Sequence, residues 1–270
     1  GPATGLPTKS EQTDLLQVLF GRNGESPMPV LAATSPTDCF EAAFEASKMA
    51  LEHMTPVVLL TDAFIANGSA AWKLPVLADY PAINPPFVPA ELKGTWTPYQ
   101  RNEEGVRFWA VPGTEGFTHI LGGLEKDNAT GAISTNPENH HLMTQLRQQK
   151  IDNIQVPDVV VEGDKDDAEL LIVGFGGTYG HLHAAMDDMR AAGKKVALAH
   201  FKYISPLPAN TEEVMKKYPK VVVAEQNMGQ FAGYLRMKID GFVPNQYNEV
   251  KGQPFVVNEL VAAFTEIYNK

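Results

Sequence analysis

The 270-residue sequence carries a formal charge of −10, with 44% apolar and 20% charged residues, the composition of a globular chain with one large domain or two ordinary ones. Lysine and arginine nowhere cluster beyond two or three residues, which argues against nucleic acid as partner, because affinity for its backbone needs many basic contacts to phosphate. No apolar run reaches the ~20 residues of a membrane helix and no basic-then-apolar leader opens the chain, so the sequence predicts a cytoplasmic protein without membrane attachment.

Its single cysteine, Cys39, rules out an internal disulfide and any four-cysteine metal or iron–sulfur site built from this chain alone. The opening GPATGLPTK reads as a loop. Thr8-Lys9-Ser10-Glu11 has the spacing of a capping box, predicting a helix over Ser10–Gly21. Thr4, Gly5 and Lys9 stand close to that helix start, where partial positive charge suits a carboxylate or phosphate. From the residues alone, the segment is either an ordinary cap or an anion site.

PVLAAT (29–34) predicts a strand, and Ser35-Pro36-Thr37-Asp38 the start of a helix with proline at its first position. Within that helix Phe40, Ala43, Phe44, Ser47, Ala50, Leu51 and Met54 define one face, with Cys39 as a small packed residue. TPVVLLTDAF (55–64) is an apolar run of the kind covered on both faces. Strand, helix and strand make a parallel βαβ unit. From Asn67 to about Glu125 prolines are frequent and only RFWAV (107–111) resembles a strand; so long an irregular stretch is often functional or interface-forming. NPENHHLMTQLRQQKID (136–152) predicts an amphipathic helix, and the acidic stretch 162–169 a domain boundary.

The second block alternates more cleanly. ELLIVGFGG, KKVALAHFKY and KVVVAEQN read as strands, and TYGHLHAAMDDMRAAG, NTEEVMKKYP, GQFAGYLRMKIDG and VVNELVAAFTEIYNK as helices. Alternation of this kind predicts a small doubly wound α/β domain of roughly a hundred residues.

Ligands of parallel α/β sheets bind beyond the carboxyl ends of strands. That rule selects Asp62, the Gly174–Gly180 turn, His200–Tyr203, and Glu225-Gln226-Asn227. Asp62 is a candidate cofactor contact, or a side chain that satisfies local amides where strand becomes loop. The glycine spacing GxGxxxG is a variant of the dinucleotide fingerprint, and the following strand ends without an acidic residue for a ribose hydroxyl. A tight turn or a weak anion site is the alternative. His140 and His141 are adjacent on a helix and diverge by about 100° without a third ligand nearby, which disfavours a metal site. There is no nucleophile elbow, Walker loop or CxxC pair.

GPATGLPTKSEQTDLL resembles the GGPSTGLPTKTEQ-type segment in alpha subunits of 2-oxoacid:ferredoxin oxidoreductases, most closely the 2-oxoglutarate type. The similarity continues in order through TPVVLLTDAFIANGSAAWKLP, PGTEGFTHILGGLEKDNATGAISTNPENHHLM, IVGFGGTYG, ISPLPAN and VAEQNMGQ. The resemblance implies thiamine-diphosphate-dependent oxidative decarboxylation of a 2-oxoacid, with acyl transfer to coenzyme A and electrons passed to ferredoxin. It implies that a beta subunit holds most of the cofactor, its magnesium and an iron–sulfur cluster. It further implies an α/β fold: residues 1–160 as an N-terminally truncated pyrimidine-side (Pyr) domain, then 166–270 as a transketolase C-terminal-like domain. Thr4 and Thr8 match the threonines of the family's substrate loop, with Lys9 a weaker addition. The family's upstream threonine segment, its acidic activator of the aminopyrimidine and the arginine before GGP have no counterpart here, so no catalytic residue is expected in this piece and activity is not expected from it alone. Two further readings remain from the residues: a nucleotide or coenzyme A module built on the Gly174–Gly180 turn, and a structural fragment that docks other subunits.

Overall fold

The computed structural model describes residues 10–270. Two sheets organise them. The smaller has the order β2 (Val58–Leu60), β1 (Val30–Ala32), β6 (Tyr203–Ser205), and the larger β3 (Val161–Gly163), β5 (Val196–Phe201), β4 (Leu170–Phe175), β7 (Val221–Glu225), β8 (Asn245–Asn248).

In the smaller sheet, β1 (Val30–Ala32) is fully buried and pairs in parallel with β2 (Val58–Leu60), with α2 (Asp38–Glu52) between them. This is the βαβ unit expected from the apolar pattern. β2 is only half-buried because it lies at the sheet edge, yet it is packed on both faces, Val58 and Leu60 against one cluster and Leu59 against others. The core face of α2 also differs from the expected one. Ala42 and Met49 are buried whereas Ala43, Ser47 and Leu51 are exposed. Phe40 and Phe44 instead meet rings from the proline-rich stretch: Phe40 lies 5.6 Å from Trp72 and Phe44 4.8 Å from Tyr80 between centroids. An aromatic pair across such a segment adds about 1 kcal/mol beyond its buried area. Cys39 is half-buried against Ala33, Ala42 and Ile65.

α1 (Leu15–Phe20) begins at Asp14 rather than at Thr8. Ser10 to Gln12 are non-helical because Gln12 is held by the far end of the chain, as described below. The capping box expected at Thr8–Glu11 therefore does not open this helix. RFWAV is not a strand either. Arg107 and Trp109 make isolated bridges to Arg101 and Phe87, and the partner stretch contains Pro85, Pro86 and Pro89, which donate no ladder hydrogen bonds. α4 (Pro137–Asp152) starts where expected, with the Asn136 carboxamide accepting from the Asn139 amide at 2.8 Å.

The larger sheet forms as the alternation predicts. β4 (Leu170–Phe175), β5 (Val196–Phe201) and β7 (Val221–Glu225) are parallel. Successive side chains point to opposite faces. Leu170, Ile172, Leu198 and Val222 meet α5 (Tyr179–Ala191) and α8 (Val257–Asn269) on one face. Leu171, Val173, Ala199 and Val223 meet α6 (Thr211–Lys217) and α7 (Gln230–Lys238) on the other. Two short strands extend the edges: β3 (Val161–Gly163), antiparallel to β5, and β8 (Asn245–Asn248), parallel to β7. The acidic stretch thus begins inside β3.

β6 (Tyr203–Ser205) follows β5 after one residue yet belongs to the other sheet, pairing antiparallel with β1. Lys202, between them, forms an ion pair with Asp38 of α2 at 2.7 Å, both side chains largely shielded. The two sheets are joined through the chain's own backbone.

Candidate functional site at the junction of the sheets

The carboxyl ends of β1, β2 and β4 converge on residues 11–15. They enclose a cavity of about 30 Å³ lined by Gln12, Ala33, Thr61, Asp62 and Gly176 among others, room for one or two water molecules. Among the described residues its charged lining side chains are Glu11, Asp14 and Asp62, with no lysine or arginine.

Gln12 organises the junction. Its backbone amide donates to Gln226 O at 3.0 Å, its side-chain Nε2 donates to Phe175 O at 2.7 Å, its Oε1 accepts from the Gln226 amide at 3.0 Å, and its own carbonyl accepts from Asn227 Nδ2 at 2.9 Å. Gln230 repeats the device one turn on, donating to Thr13 O at 2.8 Å and accepting from the Leu16 amide at 2.9 Å. The entry to α1 is thus clamped to β7 and α7, more than two hundred positions away. Side-chain hydrogen bonds of this kind contribute about 1 kcal/mol each, and more is lost when a buried partner is left bare.

Glu225, Gln226 and Asn227 are all buried and are consumed by this clamp and by the start of α7. Glu225 accepts from the amides of Phe231 at 2.7 Å and Ala232 at 2.9 Å. Burial pushes its carboxyl above the ordinary value, against those amides, which pull it down. Asn227 Oδ1 accepts from the amides of Gly229 and Gln230 at 2.8 Å, closing a turn that needs Gly229 at φ +91°.

The glycine turn is equally occupied. Gly176, Gly177 and Thr178 are buried. A Cβ on Gly177 would lie 2.1 Å from Asp62 Oδ2, and one on Gly174 2.2 Å from Leu182 Cδ1. Gly176 has φ +60° and faces Gln12 Nε2. These glycines admit neighbouring side chains, and the close approach that a pyrophosphate needs is taken up by the protein itself. Asp62 caps the short helix α3 (Ala63–Asn67), its Oδ1 accepting from the Ile65 amide at 3.0 Å, with Oδ2 turned to Gly177. Asp62 thus satisfies a local amide, and it also lines the cavity.

His200 lies beneath the turn, 3.3 Å from Thr178 Oγ1 through Nε2 and 5.2 Å from the Tyr179 ring. Among the described residues its Nδ1 is buried without a hydrogen-bond partner, and burial drives its pKa down to about 3. Tyr203 points away, into the cluster around Leu31, Met49 and Ile151, and burial pushes its phenol up to about 12. His140 Nδ1 contacts Glu125 Oε2 at 2.7 Å and His141 is exposed. Among the described residues no group of three or more His, Cys, Asp or Glu could hold a metal ion. Thr4, Thr8 and Lys9 lie outside the described residues. Gln12 and Gln230 carry no sequence signal of their importance, since glutamine has no preferred local motif and their partners are far along the chain.

Two α/β units with strand carboxyl ends facing one junction define a protein of the open α/β class, whose ligands bind in such crevices. The chain belongs to the pyruvate flavodoxin/ferredoxin oxidoreductase family: its thiamine-diphosphate-binding model matches residues 1–135 and that for core domain II of pyruvate:ferredoxin oxidoreductase residues 168–259. Among relatives, 2-oxoglutarate oxidoreductase subunit KorA of Mycobacterium tuberculosis is 50% identical over 96% of this chain, which spans 40% of that protein. Subunit alpha of 2-oxoacid:ferredoxin oxidoreductase 1 of Aeropyrum pernix is 30% identical over 99% of this chain and 43% of its own length. A solved 2-oxoglutarate:ferredoxin oxidoreductase from Magnetococcus marinus, with 2-oxoglutarate, coenzyme A and succinyl-CoA bound, superposes with a TM-score of 0.90 at 31% identity, over 99% of this chain and 47% of that one. The chain thus spans about two-fifths of the first relatives' length. The described residues of the junction do not by themselves fit thiamine diphosphate, because this cavity is far too small and its charged side chains are acidic, where a diphosphate needs cations or a metal.

Proposed function

We propose that this chain is part of the alpha subunit of a thiamine-diphosphate-dependent 2-oxoglutarate:ferredoxin oxidoreductase, which converts 2-oxoglutarate, coenzyme A and oxidised ferredoxin to succinyl-CoA, carbon dioxide and reduced ferredoxin. The observation that carries this reading is the in-order likeness over nearly the whole chain to a 2-oxoglutarate oxidoreductase subunit at 50% identity. The superposition on the Magnetococcus marinus enzyme supports it.

In this reading the chain forms one wall of the cofactor crevice and part of the interface with a beta subunit. That partner holds most of the thiamine diphosphate, its magnesium and the iron–sulfur cluster, in a cytoplasmic complex. Support comes from the acidic lining that the described residues give the junction. Thr4 and Thr8, with Lys9 in support, would meet the carboxylate or carbonyl of the substrate, since a hydroxyl both donates and accepts. The clamp at Gln12 fixes the chain four residues beyond Thr8 to β7, which gives that loop a rigid root. Asp62 would line the crevice from the β2 side.

The test is ferredoxin reduction by the assembled complex of full-length subunits. Thr4→Val and Thr8→Val should raise the KM for 2-oxoglutarate by about tenfold or more while the complex still assembles, as expected when a charge-assisted hydrogen bond is lost. Unchanged kinetics would remove the substrate role, and turnover by the alpha subunit without its partner would overturn the division of labour.

A further inference from the structure

In a chain of net charge −10, one cavity gathers cations. It has a volume of about 320 Å³ and lies between the irregular segment and α4, lined by Arg101, Arg107, Lys126, Arg147 and Lys150, with Glu125 its one carboxylate. Glu125 is already engaged by His140 at 2.7 Å and Arg147 at 3.6 Å. Among the described residues no carboxylate lies within 4.0 Å of the side-chain nitrogens of Arg101, Arg107 or Lys150. Lys126 is 3% exposed and is met only by carbonyls, including Leu124 O at 3.0 Å.

These cations are held in place. Arg101 and Arg107 face each other across a β-bridge, and both guanidinium groups lie over the Tyr99 ring, at 5.9 and 4.5 Å. Arg101 donates to Tyr99 O at 3.1 Å and to Asn128 Oδ1. Arg107 rests on Met54 Sδ at 3.3 Å, and Lys150 donates to Met54 O at 2.9 Å. Carbonyls, sulfur and an aromatic face orient the donors without neutralising them. Crowding like charges away from water is unfavourable until an anion enters. The strain shows in Lys150, whose pKa falls to about 8 through burial first and then the charges of Arg107 and Arg101.

A lone carboxylate would answer one of the three charges. A phosphate group brings nearly two negative charges and three acceptor oxygens to a fork of fixed guanidinium donors. The cavity is at the lower end of the volumes that hold small molecules. We propose that it is a binding site for a phosphate-bearing small molecule, with Arg101, Arg107 and Lys150 as its anion ligands.

Lys150 is its own reporter. The native complex of full-length subunits is treated with pyridoxal 5′-phosphate or with pyridoxal, reduced with borohydride, and labelling is quantified by peptide mass spectrometry at Lys150 and at the exposed Lys73. The two aldehydes differ in the phosphate, so their ratio at Lys150, normalised to Lys73, isolates phosphate recognition. The expected ratio is about ten or more, the equivalent of one charge-assisted hydrogen bond. Inorganic pyrophosphate and ADP should both abolish the excess if the site accepts phosphate from either source; protection by ADP alone assigns it to nucleotides, and by pyrophosphate alone to free phosphates. Arg107→Gln, in complex that still assembles, should bring the ratio close to one. A ratio near one in the native complex, no labelling of Lys150 by either aldehyde, or protection by polyglutamate or a dicarboxylate but not by pyrophosphate would each overturn the proposal. Pyrophosphate protection is measured on the unmutated complex, so the result stands even if the variant fails to assemble.

Discussion

Replacing Gln12 by alanine tests whether the clamp between the two ends of the chain carries energy. The substitution removes two side-chain hydrogen bonds, to Phe175 O at 2.7 Å and from the Gln226 amide at 3.0 Å. The two losses are unequal. Phe175 O keeps a second donor, Thr178 Oγ1 at 2.8 Å, so that bond is worth about 1 kcal/mol. The Gln226 amide is buried and left without its acceptor, at roughly 1–3 kcal/mol. The sum, about 2–4 kcal/mol, corresponds to an increase of roughly 30- to 1000-fold in the opening equilibrium at that amide. Hydrogen exchange followed at the Gln226 amide in the full-length subunit reads that opening directly. Amides in the middle of β4 should be unaffected, because neither Ile172 nor Val173 depends on the clamp. An acceleration at Gln226 below about threefold would show that water or a neighbour replaces the Gln12 side chain freely, and the junction would then be held by its backbone bonds and by Asn227 and Gln230.

Two further outcomes follow from the same geometry. Gly177→Ala places a Cβ 2.1 Å from Asp62 Oδ2, so it should destabilise the protein by about 1–3 kcal/mol, and adding Asp62→Ala should recover part of that loss; a double-mutant cycle in denaturant with no coupling would refute the contact, while Gly180→Ala, which meets no atom within 4 Å, serves as the neutral control. His200, with its pKa lowered to about 3 by burial, binds its proton less readily folded than unfolded, where the value is 6.5. Its contribution to stability is therefore complete above pH 6.5 and is lost as pH falls from there toward 3; a His200→Asn variant should lack this component of the acid dependence, and an NMR titration that finds the His200 ring protonating near pH 6 in the folded state would contradict the burial.

What could be read from the sequence follows the range of the interactions involved. The strands and helices of residues 170–270 were legible because Leu, Ile and Val in the strands and the apolar stripes of α5 and α8 are repeated local patterns. β3, β6 and β8 were not: NQYN has no apolar alternation, and each of these short strands exists because a neighbouring edge is present to pair with. The face of α2 was misassigned for a related reason. Phe40 and Phe44 look like core residues in a helical repeat, but their partners, Trp72 and Tyr80, come from a segment with no periodicity to announce it. At the candidate site, the rule of strand carboxyl ends selects Asp62, the glycine turn, His200–Tyr203 and Glu225-Gln226-Asn227; all but Tyr203, which packs against Leu31 and Met49, lie at or beside the junction. It did not show that the chain itself fills much of that space, because Gln12 meets Gln226 across more than two hundred intervening positions. No local pattern marks the cation cavity. Arg101, Arg107 and Lys150 are spread over fifty positions, and only the fold brings them to one wall.

The strand exchange through β6 bears on how this polypeptide could ever be divided. A break near residue 160 would look harmless on a linear map, since it falls between two recognisable units. It would strip Tyr203–Ser205 from β1, exposing the edge of a strand that is now wholly enclosed, and such unpaired edges recruit other chains into aggregates. Lys202 would leave Asp38 at the same stroke. Any gene rearrangement or engineered split at that point should therefore yield an N-terminal half that remains soluble only when made together with the other, because its sheet takes its third strand from beyond the break, whereas the five-stranded sheet lies wholly in the C-terminal half.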